Sequence, residues 1–279
     1  MAKRKRIQNI QNMIKEGYGT GIGSKYKPYI KIQHVPSLGR VTRGKGIKTE
    51  RQHDLLSDME KNYLIILEYC NDVVDIREQY PLLPIEETIS IANELGIVHP
   101  KNPRTKEDIV MTTDFMITIS DSEGTKEVAR TIKSKDDLLN RRILEKFEIE
   151  RVFWERRGIN WAIVTEEEID KTIAHNISFV QGYKHIRNID SFIDIEILEL
   201  QDLIYEFLKR IVDDERSMRS ICSFFDSDMN LQKGSGLSIF KYLIANKIIG
   251  IDISKRINVD KNITVLSVKE LEIRMVESL

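Results

Sequence analysis

The 279-residue sequence is poor in several features that would direct a search for function. It has two cysteines, Cys70 and Cys222, far apart and without metal-type spacing, which fits a reduced cytosolic setting and offers no evident thiol nucleophile. Its five histidines form no HxH or HExxH pair, so a dedicated zinc site is not expected. No apolar run approaches the length of a membrane span, and the opening "MAKRKRIQNIQ" lacks the apolar centre of a secretory signal. Four glycines crowd into "GYGTGIG", but without the flanking strand and helix of a dinucleotide-binding turn. What is plentiful is charge: 31% of residues are Asp, Glu, Lys or Arg against 41% hydrophobic, the balance of a globular protein.

That charge is unevenly spread. Residues 1–53 hold thirteen Lys or Arg and two acids, a local balance of +11, while the rest carries −12, leaving a net −1. A basic arm ahead of an acidic body suits a polyanionic partner, and its candidate contacts to DNA are Lys3, Arg4, Lys5, Arg6, Lys25, Lys27, Arg40, Arg43, Lys45 and Lys48. A solvated basic tail explains the same charge. Tyr18, Tyr26 and Tyr29 belong either to a segment tracking a phosphate backbone or to a loop wrapped on the core.

Periodicity divides the remainder. Ile7, Ile10 and Ile14 predict a short basic helix. Leu56, Met59, Tyr63, Leu64 and Leu67 mark a stronger one, with Asp54 as expected N-cap and Glu60 on its apolar stripe. "VVDIREQYPLLP" reads as a strand stopped by Pro81 and Pro84, residues 85–97 as a helix, 137–159 as a long helix, and Trp161–Val164 as a buried strand with a helix starting at Thr165. This order predicts a mixed α/β domain over residues 1–168. Residues 169–279 predict a mainly helical module whose helix, turn, helix and two strands give a winged-helix pattern. Its second helix offers only Lys241, Asn246 and Lys247, which favours scaffolding or protein contact over base reading.

Between the α/β elements lies "MTTDFMITISDSEGTKEVARTIK", Met111 to Lys133, two strands joined by a turn. Phe115, Ile117 and Ile119 share one face, and Asp114 falls on the other; Thr131 and Lys133 share a face of the second strand. If Glu60, Asp114, Thr131 and Lys133 converge, their oxygens offer the hard environment that Mg²⁺ prefers, and Mn²⁺ would substitute. A cation there would polarise a phosphodiester and lower the pKa of a water, while the Lys would place the water and offset negative charge. An acid, then (E/D)-x-K on the next strand, is the pattern of metal-dependent nucleases of the restriction-endonuclease type. A solvated polar hairpin is the competing explanation.

Four blocks in order, "HDLLSDMEKNYLIILEY", "VVDIREQYPLLP", "MTTDFMI" and "LEKFEIERVFWERRGINWAIVTEEEI", resemble the TnsA family, the endonuclease subunit of heteromeric cut-and-paste transposases. The resemblance runs from about residue 17 into the C-terminal module, more loosely there. It implies a restriction-endonuclease-like nuclease domain followed by a winged-helix domain. It also implies cleavage of the 5′ ends of a transposon, a DDE-class recombinase (TnsB) that cuts and joins the 3′ ends, and an ATP-using regulator (TnsC). By that resemblance Glu60, Asp114 and Lys133 are catalytic, and the cation would be held by Glu60, Asp114, Thr131, the main chain of Ile132, and Glu150 on the following helix. Thr131 departs from the pattern, which places Glu, Asp or, in relatives, Gln there; the shorter uncharged side chain weakens a metal site unless Glu150 or water compensates. Two other readings follow: an attenuated DNA-bridging adaptor that scaffolds the partners, and a junction resolvase or repair nuclease of the same fold.

Overall fold

The computed structural model describes residues 10–30, 42–212 and 214–269. Lys3, Arg4, Lys5, Arg6 and Arg40, and the Ile7 end of the first expected helix, lie outside the described residues. The chain divides into two compact units, Met1–Ile169 and Asp170–Leu279.

The first unit is built on a four-stranded sheet of β3 (Val73–Pro81), β4 (Thr112–Asp121), β5 (Gly124–Ile132) and β6 (Asn160–Val164), in that spatial order. The first three strands are antiparallel, and β5 and β6 are parallel, joined by a crossover through α4 (Arg141–Glu155). Ahead of the sheet come α1 (Ile10–Lys15), a hairpin of β1 (Thr42–Lys45) and β2 (Gln52–Leu55), and α2 (Asp58–Tyr69); α3 (Ile85–Glu94) follows β3. Alternation along the strands makes two cores. Phe115, Ile117 and Val128 join Leu64 and Leu67 of α2 on one face. Met116 and Ala129 join Ile91 of α3 and Ile149, Phe153 and Trp154 of α4 on the other. Ala129 is completely buried beneath α4, where a methyl group lets the helix approach the sheet. Phe115 is equally enclosed, so truncating it to Ala would cost about 3–5 kcal/mol. The mixed sheet covered by helices on both faces is a restriction-endonuclease-like arrangement.

Three boundaries differ from the sequence reading. Asp54 is not the cap of α2: it lies within β2, and Ser57 caps the helix, its hydroxyl accepting the Glu60 N–H at 3.1 Å. The helix expected over 137–159 begins at Arg141, because Asn140 caps it after a 3-10 turn over Asp136–Leu139. The helix expected from Thr165 starts at Lys171, where the Asp170 carboxylate accepts the N–H groups of Thr172 and Ile173. Tyr18, Tyr26 and Tyr29 are buried, and the Tyr26 hydroxyl donates to the Glu78 carbonyl at 3.0 Å, so these rings belong to the core.

The second unit packs α5 (Lys171–Val180), α6 (Ile197–Ile211), α7 (Met218–Asp228) and α8 (Ser235–Ala245) around one apolar core, followed by a short antiparallel pair, β7 (Ile249–Gly250) and β8 (Ser267–Val268). It is a winged-helix module with a minimal wing. Buried Asp226 accepts the N–H groups of Gly234 and Gly236, and a side chain at Gly236 would press on the Cys222 carbonyl, which fixes the α7–α8 turn. Asn176 holds the strand-to-wing segment through Ile253, Lys255 and Ile257. Lys241 is buried against Phe179 and Tyr183, and Asn246 bonds Lys184 and Tyr242, so α8 spends these groups inside the module. Burial pushes the Cys222 thiol up to about 12, which removes it as a nucleophile. Among the described residues no helix is long and apolar enough to cross a membrane.

Candidate active site

Asp114 stands near the start of β4, at the end of the sheet where β5 finishes. Its carboxylate accepts the N–H of Ile132 at 2.7 Å and, at 3.3 Å, the side-chain amide of Gln79, which lies across from it on β3. Gln79 has a backbone φ of 49°, the left-handed region that a glutamine rarely occupies. The amide is held in turn by Thr112, whose hydroxyl donates to it at 3.2 Å. Strain at this position is balanced by burial and by a fixed neighbour. The adjacent Glu78 is fully buried and accepts from Arg51, from His53 at 2.8 Å and from the Asp54 N–H at 3.2 Å. Burial alone would raise the Glu78 carboxyl, but the Arg51 and His53 hydrogen bonds outweigh it and bring it to about 2. The other nitrogen of His53 meets Thr49 at 2.8 Å, in a space that only a glycine at position 46 leaves open.

Carboxylates approach Asp114 from both faces of the sheet. Glu60, on α2, is 6% exposed and is fixed by a capping box: its oxygens accept the Leu56 N–H at 2.9 Å and the Ser57 hydroxyl at 3.0 Å. Glu150, on α4, is 2% exposed, and one oxygen accepts hydroxyl groups from both Thr113, at 2.6 Å, and Thr131, at 2.5 Å. Trp154 donates to Thr113 and Trp161 to Thr131, which orients both hydroxyls. Burial pushes Glu60 upward, and the Asp114 charge adds to it. Burial likewise raises Asp114 against the opposing pull of Ile132, Gln79 and Lys133. Glu150 is pushed to about 7, by burial first and by Asp114 in addition. All three carboxyls are thus shifted toward the protonated form, and a cation bound among them would favour their charged forms.

Lys133 continues β5. Its ammonium pairs with Asp137 at 3.2 Å and lowers the Asp114 carboxyl, so it lies within electrostatic reach of the same centre. Glu60, Asp114, Glu150, Thr131, Ile132 and Lys133 are thus gathered around one end of the sheet. Among the described residues no set of three Asp, Glu, His or Cys side chains is arranged to hold a metal ion, and one Glu150 oxygen is occupied by the hydroxyls of its two threonines. The donors left are two carboxylates beside main-chain oxygens, a set that fits Mg²⁺, which keeps several waters and uses one or two carboxylates.

The described members of the basic arm are dispersed. Lys25 and Lys45 are exposed. Lys27 lies over the Tyr18 ring and donates to the Glu16 carbonyl, Lys48 donates to the Val73 carbonyl, and Arg43 pairs loosely with Asp54 at 3.6 Å. Sequence reasoning missed Gln79, Thr113 and Trp161. The "DIREQYPLLP" block contained the first, but an ordinary strand glutamine gives no sign of a reversed φ.

Residues 70–166 match the family described as TnsA-like endonuclease N terminal, and residues 168–253 match TnsA endonuclease C terminal. The chain is also 35% identical over 252 residues to "Transposon Tn7 transposition protein TnsA" of Escherichia coli, an alignment covering 90% of this chain and 88% of the relative.

Proposed function

Because this chain belongs to the TnsA endonuclease family, we propose that Glu60, Asp114 and Lys133 form the centre with which it cuts the 5′ ends, the non-transferred strands, of a transposon. The observation that supports the assignment is the crowding of two buried carboxylates, Glu60 and Glu150, around the half-buried Asp114 beside a lysine. Asp114 and Glu60 would hold Mg²⁺, or Mn²⁺ in its place, together with the Ile132 main chain, and Thr131 and Glu150 would support the set from the α4 side. When bound, the ion would supply Lewis acidity to the phosphodiester and acidify an attacking water. The chain's own residues do the rest. Ile132 and Gln79 hold the Asp114 carboxylate in one orientation, and the capping box does the same for Glu60. The Lys133 ammonium, tethered by Asp137, places the water and offsets the negative charge that develops on the phosphate.

Choice of the cutting site would come from partners: a TnsB-like DDE recombinase that holds the transposon end, and a TnsC-like ATP-dependent regulator. With the recombinase and an end duplex present, Asp114→Ala and Lys133→Ala in the full chain should reduce 5′-strand nicking at least about 1,000-fold while recombinase binding is retained; undiminished nicking by either would refute the assignment. The alternative of an attenuated bridging subunit draws on one observation: Thr131 spends its hydroxyl on Glu150. Calorimetric titration with Mn²⁺ in the presence of DNA separates the two, because an attenuated subunit takes up no ion that Asp114→Ala abolishes.

A further inference from the structure

The 2.5 Å bond from Thr131 to Glu150 fixes how α4 lies against β5. The helix is the crossover between two parallel strands and therefore runs opposite to β5. From Thr131, two residues along the strand advance about 6.6 Å to Lys133, on the same face. From Glu150, four residues back along α4 move about 6 Å the same way and stay on the same helix face, arriving at Lys146. The two ammonium groups are thereby set opposite one another, with Arg142 one turn further on the same side. The Lys146 ammonium is held below the ordinary lysine value, by partial burial and then by Arg142 and Lys133.

The neighbours of Lys146 have counter-charges. Lys133 has Asp137; Arg142 has Glu145 at 2.9 Å and the Val98 carbonyl at 2.6 Å. Lys146 keeps access to solvent along part of its length and makes no hydrogen bond or ion pair among the described residues. Fold and sequence thus crowd cations beside the nuclease centre and leave one without a counter-ion, an arrangement unfavourable in the free protein that an anion reverses.

We propose that Lys146 binds a backbone phosphate of the duplex next to the scissile one, so that the face Arg142–Lys146–Glu150 of α4 guides the strand to Lys133. The proposal rests on the nuclease reading for its ligand, a DNA phosphodiester. Its test is a binding measurement that does not depend on cleavage. Full-length protein, Lys146→Ala and Lys146→Arg are titrated, with the partner recombinase, onto end duplexes in Ca²⁺ over a range of salt, and nicking is then read in Mg²⁺. Lys146→Ala should weaken duplex affinity about tenfold and make the log–log salt slope shallower by about 0.9, while kcat stays within about threefold; Lys146→Arg should restore both. On duplexes with single neutral methylphosphonates walked past the scissile bond, one position should weaken binding of the wild type and leave Lys146→Ala unaffected. An unchanged affinity and slope in Lys146→Ala, or methylphosphonate penalties equal in both proteins at every position, overturns the proposal. Failure of the nuclease reading would appear elsewhere, as full nicking by Lys133→Ala.

Discussion

Gln79 shows how much of this site depends on single side chains. Its φ of 49° suits glycine, so Gln79→Gly should be about 1 kcal/mol more stable than Gln79→Ala, measured as the difference in unfolding free energy. Both variants lose the amide that holds Asp114 and should nick with equally reduced kcat, about tenfold below wild type. The carboxylates make a second prediction, about pH. An acid whose pKa is higher folded than unfolded favours the native state below its unfolded value, about 4, and that contribution fades as pH rises through the folded value, about 7 for Glu150. Glu60 and Asp114 act in the same direction. Protein held in chelator should therefore lose thermal stability between about pH 5 and pH 8, and Mg²⁺ or Mn²⁺ should raise Tm more at pH 8 than at pH 6. A chelated protein whose Tm rises over that interval would contradict the assignment of these groups. The places of Asp114 and Lys133 on the hairpin were legible in the sequence because strand alternation and a turn set them; the strained backbone of Gln79 was not, because a backbone sign is imposed by the surrounding fold.

At the scale of elements, α2 and the β4–β5 hairpin carry most of the candidate site. The stripe Leu64–Leu67 and the alternation of Phe115 and Ile117 were readable, since burial on one face leaves a period in the sequence. The start of α2 was not: "HDLLSD" contains two good caps, and the choice fell to Ser57 because β2 pairs with β1 through Asp54 and Leu55. Ser57→Ala should lower stability by about 1 kcal/mol, measured by denaturant unfolding. It also frees one Glu60 oxygen, so Mn²⁺ affinity should fall with it, and an unchanged affinity would separate the cap from the site. The long helix expected over 137–159 was too long for a related reason: Asn140 competes for the helix start, and the 3-10 turn it ends holds Asp137 against Lys133.

At the scale of the whole molecule, charge asymmetry remains the clearest sequence signal, yet among the described residues its positive groups are not all free to meet a partner. Lys27 and Lys48 are engaged in holding the chain to itself, and a count of charges could not distinguish them from exposed Lys25 and Lys45. Removing residues 1–9 takes away Lys3, Arg4, Lys5 and Arg6. Binding to end duplexes should then have a salt slope shallower by about 0.9 for each of the four that meets a phosphate, with kcat for nicking unchanged. An unchanged slope would make the arm a solvated tail.

Glu60 joins two tasks in one side chain. The negative charge that would greet an incoming cation also faces the positive end of the α2 dipole, so protonating it weakens the helix origin as well as the site. Ion loading would then tighten the opening turn of a helix whose next turns press on Phe115 and Ile117, and amide exchange at residues 58–61 should slow on Mg²⁺ addition. Through that one carboxylate, the hydrophobic interior would register whether the enzyme is armed.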